Sequence, residues 1–125
     1  KGVTPTVLYN NSTGTTGTVT LSQSAANFNM LLICYRTNDN YCGSTAVYSP
    51  NGKKVALHVG FSVLSSTGSK GTYLKMKAYE ISGTKMTSSI DEDPYGYGAV
   101  FADGTQAQAI STNYIYVTQV IGFKF

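Results

Sequence analysis

The residues able to do chemistry are few: one histidine, His58, two cysteines, Cys34 and Cys42, and a run of three carboxylates, Asp91-Glu92-Asp93. His58 falls in the middle of a regular strand pattern, and no serine or aspartate is tied to it by motif. A Ser-His-Asp relay needs a nucleophile presented on a sharp turn, and the chain has no G-x-S-x-G elbow. Nor does it contain a phosphate-cradling glycine motif, an H-E-x-x-H pair or an EF-hand loop. His58 is therefore read as a strand histidine, partly exposed or hydrogen-bonded.

Asp91, Glu92 and Asp93 are first of all a solvated polar loop. Calcium is the next option, with the carbonyls of the glycine-rich sequence that follows as further oxygen ligands. The paired carboxyls of a glycosidase come last, since nothing else in the chain marks a buried acid. Two cysteines with one distant histidine make a poor zinc site. Cys34 and Cys42 are close enough in sequence for a small disulfide loop, and a pair of free thiols fits the pattern equally well. No enzyme is expected.

Tyrosine is the other chemical signal: Tyr95 and Tyr97 alternate with Gly96 and Gly98 beside the acidic run. A loop tyrosine offers a ring face for stacking on a sugar or packing on a protein, plus a hydroxyl. It serves equally well as a lid folded onto the core. Tyr41, next to the turn Asn38-Asp39-Asn40, has the same double character. The candidate ligand-binding residues are therefore Tyr95, Tyr97, Asp91, Asp93, Tyr41 and Asn40, with no catalytic residue and no firm metal site.

These groups must be positioned by strands. The 125 residues suit one domain with one core, and only 12% of them are charged. Thirteen glycines and ten tyrosines, with many Ser, Thr and Asn, favour strands joined by tight turns. Val7 to Tyr9 reads as a short strand ended by a long polar turn over Asn10 to Gly17. Thr18 to Leu21 alternates, and Ser22 to Asn29 reads as one helical turn capped by Ser22 or Ser24. Met30 to Tyr35 is apolar on both faces, the pattern of a central strand covered on two sides.

Thr45 to Ser49 and Val55 to Val63 follow as strands, with Pro50-Asn51-Gly52-Lys53 read as the hairpin between them. In the second strand Val55, Leu57 and Val59 share a face opposite Ala56, His58 and Gly60. Tyr73 to Ile81 and Lys85 to Ile90 flank a further hairpin at Ser82-Gly83-Thr84. Asp91 to Gln108 breaks the rhythm and reads as a long irregular segment, with only a short strand at Ala99-Val100-Phe101. Tyr114 to Phe125 is again apolar on both faces, as a strand covered by a second sheet or a neighbouring subunit would be. The fold class is all-β, an antiparallel sandwich of jelly-roll-like or barrel-like form with little or no helix, spanning 1–125 as one domain. The chain opens with Lys1 rather than Met and enters a strand almost at once, as a C-terminal fragment of a longer polypeptide, or one trimmed of a tag, would.

The formal charge of +3 comes from nine scattered basic residues. Lys75 and Lys77 are their one close grouping on a strand, and tracking a phosphate backbone takes more, so no nucleic-acid partner is expected. The longest apolar run is too short to cross a bilayer.

A polar turn leading into Gly17-Thr18-Val19-Thr20-Leu21-Ser22, then Ser24-Ala25-Ala26-Asn27-Phe28 and the strand Met30 to Tyr35, resembles a known arrangement. So does the closing run Ile115 to Lys124. Together these segments, about half the chain, resemble the C-terminal domain of bacteriophage tail-fibre, baseplate and minor structural proteins. The resemblance implies a β-sandwich head at a tail tip, usually a homotrimer, that attaches to a host surface glycan or protein without enzymatic activity. It also implies a virion location, synthesis in the reducing host cytoplasm, and hence free thiols at Cys34 and Cys42. The alternative in the same setting is a structural assembly or decoration module with no host ligand. A glycan-degrading enzyme ranks below both.

Overall fold

The computed structural model describes residues 3–64, 70–88, 96–102, 105–111 and 114–125, with the backbone alone described for 61–64, 70–74, 88, 96–102 and 105–111. Among these residues ten antiparallel strands form two sheets. The first sheet has the order β1-β10-β3-β4, from β1 (Thr4–Thr15), β10 (Ile115–Lys124), β3 (Met30–Thr37) and β4 (Cys42–Tyr48). The second is organised around β6 (Lys70–Ser82). One edge of β6 pairs along its length with β5 (Lys54–Leu64). Its other edge carries β7 (Lys85–Ser88) and then β2 (Val19–Thr20) at one end, and β8 (Gly96–Ala102) with β9 (Thr105–Ser111) at the other.

One apolar core lies between the sheets. Leu31, Ile33 and Val117 of the first sheet and Leu57, Ile81 and Met86 of the second are fully buried in it. Burial removes apolar area from water at roughly 25 cal/mol per Å², and the inward parity of β3 and β5 comes from that. Val55 and Leu57 point in while Ala56 and His58 face solvent. Between β2 and β3 the chain makes one 3-10 turn, Ala25–Asn27, whose start is capped by the Ser24 hydroxyl accepting the Ala26 N–H at 3.2 Å.

Four expectations need correction. The segment Asn10 to Gly17 is not simply a turn, because β1 runs to Thr15. It resumes pairing at Thr15 with Val117 after a bulge in which Asn11 Oδ1 accepts the N–H groups of Thr13 and Gly14. Gly14 sits at φ +89°, and a Cβ there would lie 2.7 Å from the Tyr116 Cβ, so the bulge needs glycine.

Pro50 to Lys53 forms its turn, with the Lys53 N–H donating to the Pro50 carbonyl and Gly52 at φ +83°. The strands on either side do not pair, however: β4 belongs to one sheet and β5 to the other. Glycine at the third turn position gives a bend that splays its flanking strands, which suits a corner between sheets.

The segment Asp91 to Gln108 is not one irregular loop, since β8 and β9 occupy much of it and pair from Gly96–Ser111 to Ala102–Thr105. Gly96, Gly98, Ala99 and Ala102 in β8, and Ala107 and Ala109 in β9, weaken the local strand signal here.

The fourth correction concerns β3. It and β10 are both internal to their sheet, but within the chain only one face of each is covered by a described element. On the outer face, strand register aligns Val7, Ile121, Leu32 and Ala46 in one row across all four strands. The adjoining row is Pro5, Phe123, Met30 and Tyr48. No described element packs on these rows.

Candidate functional site

The loop between β3 and β4 holds the two nominated residues whose side chains are described, Asn40 and Tyr41. It is a three-residue hairpin loop, Asn38 to Asn40, closed by the Thr37 N–H donating to the Tyr41 carbonyl at 2.8 Å. The Asn40 N–H donates to the Thr37 carbonyl at 3.0 Å, and Asn40 itself adopts φ +70°. A turn followed by a left-handed residue suits such loops, and asparagine is among the few non-glycine residues that accept that conformation readily.

Thr37, fully buried at the base, locks the loop from inside. Its hydroxyl donates to Asp39 Oδ1 and accepts the Tyr41 N–H at 2.9 Å. The Asn38 N–H donates to the Tyr114 carbonyl, which ties the loop to the start of β10.

The opposite sheet holds the same loop through Lys75. Its side chain lies in the interior with Lys77, Tyr79 and Ile81, because β6 turns that face of its alternation towards the first sheet. The Lys75 ammonium donates to Asn38 Oδ1 at 2.8 Å and to Asp39 Oδ1 at 3.2 Å, and lies 5.4 Å from the centre of the Tyr114 ring. Partial burial pushes the Asp39 carboxyl up, but hydrogen bonds from Thr37 and Lys75 and the lysine charge outweigh it. The net effect holds Asp39 below its usual range, ionised and fixed in place.

Lys77 and Tyr79 perform the same service one connection away. The Lys77 ammonium donates to the Thr16 carbonyl, and the Tyr79 hydroxyl donates to the Gly17 carbonyl at 3.0 Å, pinning the link from β1 to β2. Burial lowers the proton affinity of Lys77 and raises that of the Tyr79 phenol, the latter with help from Tyr9. The sequence reading took Lys75 and Lys77 as a basic grouping. The structure makes them interior struts, and the one signal available was their shared parity with Tyr79 and Ile81.

Above this scaffold Tyr41 is 45% exposed and Asn40 is exposed beside it. The loop thus offers an aromatic ring, two carboxamides and a fixed carboxylate within four consecutive residues. Such a set can stack on a sugar ring or apolar side chain while exchanging directed hydrogen bonds.

Of the other nominated residues, Tyr95, Asp91 and Asp93 lie outside the described residues, as does Glu92 of the calcium option. Tyr97 is a strand residue of β8 rather than a loop residue; its backbone pairs with Met76 on one side and Ile110 on the other. The neighbouring Gly98 is the register partner of Lys75. The start of β8 and the β3–β4 loop are therefore linked through a single lysine.

His58 is exposed, and its Nδ1 lies 3.4 Å from the Ala56 carbonyl. Its backbone N–H and carbonyl both meet the Tyr35 hydroxyl, which also bonds Thr45 and so bridges the two sheets. Both cysteines are free, Cys42 exposed and Cys34 half-buried with its thiol proton affinity raised by burial. No group of His, Cys, Asp or Glu among the described residues is arranged to hold a metal ion. No described helix is long and apolar enough to cross a membrane. In comparisons with known proteins, the chain matches no family model and no curated sequence.

Proposed function

We propose that this chain is the host-attachment head of a bacteriophage tail fibre or related virion protein, which binds a bacterial surface glycan or protein without chemical turnover. The observation that carries this reading is Tyr41, 45% exposed on a loop locked from both sheets by Thr37 and Lys75. A preorganised aromatic loses little entropy when a ligand docks, so even a small contact yields useful affinity. Tyr95, Tyr97, Asp91, Asp93 and Asn40 are proposed as further ligand contacts. Several heads on one virion, as a homotrimer provides, would turn weak single contacts into firm adsorption.

The test is adsorption of labelled protein to bacterial cells and to an immobilised glycan array. Tyr41→Ala is expected to abolish binding, and Tyr95→Ala with Tyr97→Ala to weaken it. Undiminished binding by both variants would overturn this reading.

A second reading, an assembly module with no host ligand, is favoured by the uncovered apolar rows on the first sheet. An oligomer that adsorbs to no cell and no glycan would select it.

A further inference from the structure

At the end of β3 and β4 away from the Asn38 to Asn40 loop lies an open cavity of about 270 Å³. Ala25, Ala26, Phe28 and Pro50 form its apolar wall, and Asn29, Ser49 and Asn51 its polar one. Asn29 precedes β3 and Ser49 follows β4, so the seven residues of β4 separate the cavity from the loop by roughly 23 Å at about 3.3 Å each.

Two features set this cavity apart. Ser49 sits at φ +48°, and with Asn40 it makes up the non-glycine residues of positive φ among those described. Serine lacks asparagine's ease in that conformation, and a residue before proline is steered towards extended backbone, so Ser49 is strained. Its surroundings hold it there: its N–H donates to the Asn29 carbonyl at 2.8 Å, and its carbonyl accepts the Lys53 ammonium at 3.1 Å. Strain fixed in this way gathers at ligand sites. The second feature is the setting of the two carboxamides. Asn29 Oδ1 accepts the Phe125 N–H at 2.7 Å and Asn51 Oδ1 accepts the Gly83 N–H at 2.8 Å, which leaves each amide NH2 as the half that meets a ligand. The Gly83 carbonyl accepts the Ala25 N–H at 2.8 Å, so one glycine ties both walls together.

We infer that this cavity takes a single uncharged N-acetylated sugar residue, an inference that rests on the reading of the chain as a glycan binder. The volume falls just under the roughly 300–1,000 Å³ of pockets for drug-sized ligands, which is room for one sugar ring and a small substituent. Fixed NH2 donors suit the acetyl carbonyl and the sugar hydroxyl oxygens. Phe28 is only 6% exposed and lies beneath the Lys124 ammonium, 5.4 Å from its ring centre. It therefore offers no open ring face for stacking, and with Ala25, Ala26 and Pro50 it fits a methyl group instead. No charged side chain lines the cavity, and the Lys53 ammonium is already taken by the Tyr48 and Ser49 carbonyls. One such contact is weak, so adsorption to cells still depends on the Tyr41 loop.

Amide-resolved NMR titration with the methyl glycosides of N-acetylglucosamine, N-acetylgalactosamine and glucose tests this. At least one acetylated glycoside is expected to give saturable shifts at Ala25, Ala26 and Asn51, and the glucoside to bind about tenfold more weakly or worse. Ala26 is exposed, so Ala26→Phe adds its atoms to the cavity and not to the core. Asn51→Asp keeps the acceptor for the Gly83 N–H and removes the NH2 donor. Each variant should keep the wild-type melting curve and lose about tenfold or more in affinity. No saturable shift with either acetylated glycoside would overturn the inference, as would equal binding of the glucoside or undiminished binding by both variants. A wild type that adsorbs to cells through Tyr41 yet shows no such shift would overturn this inference alone and leave the host-attachment reading standing.

Discussion

Lys75 and Asn38 stand on opposite sheets, yet the lysine ammonium lies 2.8 Å from the asparagine carbonyl oxygen. A cation that looks like surface decoration in the sequence therefore holds the tip of the facing hairpin, and the position of Tyr41 depends on it.

Replacing Lys75 with Met keeps the volume and removes the donor. The carboxyl of Asp39 and the amide of Asn38 then lose a charged partner, a loss worth about 1–3 kcal/mol. Urea denaturation should show that decrease, and hydrogen exchange should show faster amide exchange at Asn40 and Tyr41 than in the wild type. Tyr41→Ala, at an exposed position, should shift stability by no more than about 0.5 kcal/mol.

Asp39 also sets an acid response. Its proton affinity is lowered in the folded state, so its stabilising contribution is present above the unfolded value of 3.8 and disappears as pH falls through the lower folded value. The urea midpoint of the wild type should fall below about pH 4, and Asp39→Asn should lower the neutral plateau and flatten that acid limb.

Tyr79 makes the opposite prediction at high pH. Its phenol is buried and its proton affinity raised above the ordinary 10.0, so its contribution is present below that value and lost as pH climbs through the folded one. Absorbance at 295 nm should show Tyr79 ionising only as the protein unfolds. Tyr79→Phe leaves the Gly17 carbonyl without its donor, at a cost of about 1–3 kcal/mol.

Gly43 marks where backbone and ring approach most closely beside the loop. A Cβ at this position would lie 2.7 Å from Tyr35 Cε2 and 3.1 Å from Val59 Cγ2. Gly43→Ala should therefore destabilise by about 1–3 kcal/mol through overpacking. It should also displace the Tyr35 hydroxyl from His58 and Thr45, which near-ultraviolet circular dichroism would register.

Local chemistry was enough to specify most of the strands, a cap at Ser22 or Ser24, the turn at Gly52 and the hairpin at Gly83, because period-two alternation and turn residues act over a few residues. It also nominated Asn40 and Tyr41 beside a turn; the left-handed conformation of Asn40 came from the structure. Which strands became neighbours was decided only in three dimensions: the Gly52 turn became a corner between sheets, and β8 and β9 paired despite weak propensities. The same holds for Lys75 and Lys77. On β6, Leu74, Met76 and Ala78 look like the core face, yet the lysine face turned inward. Its ammonium groups could do so only because Thr16, Asn38 and Asp39, distant in sequence, arrive with oxygens to receive them. A buried charge needs a partner, and partners that far along the chain are supplied by tertiary structure alone.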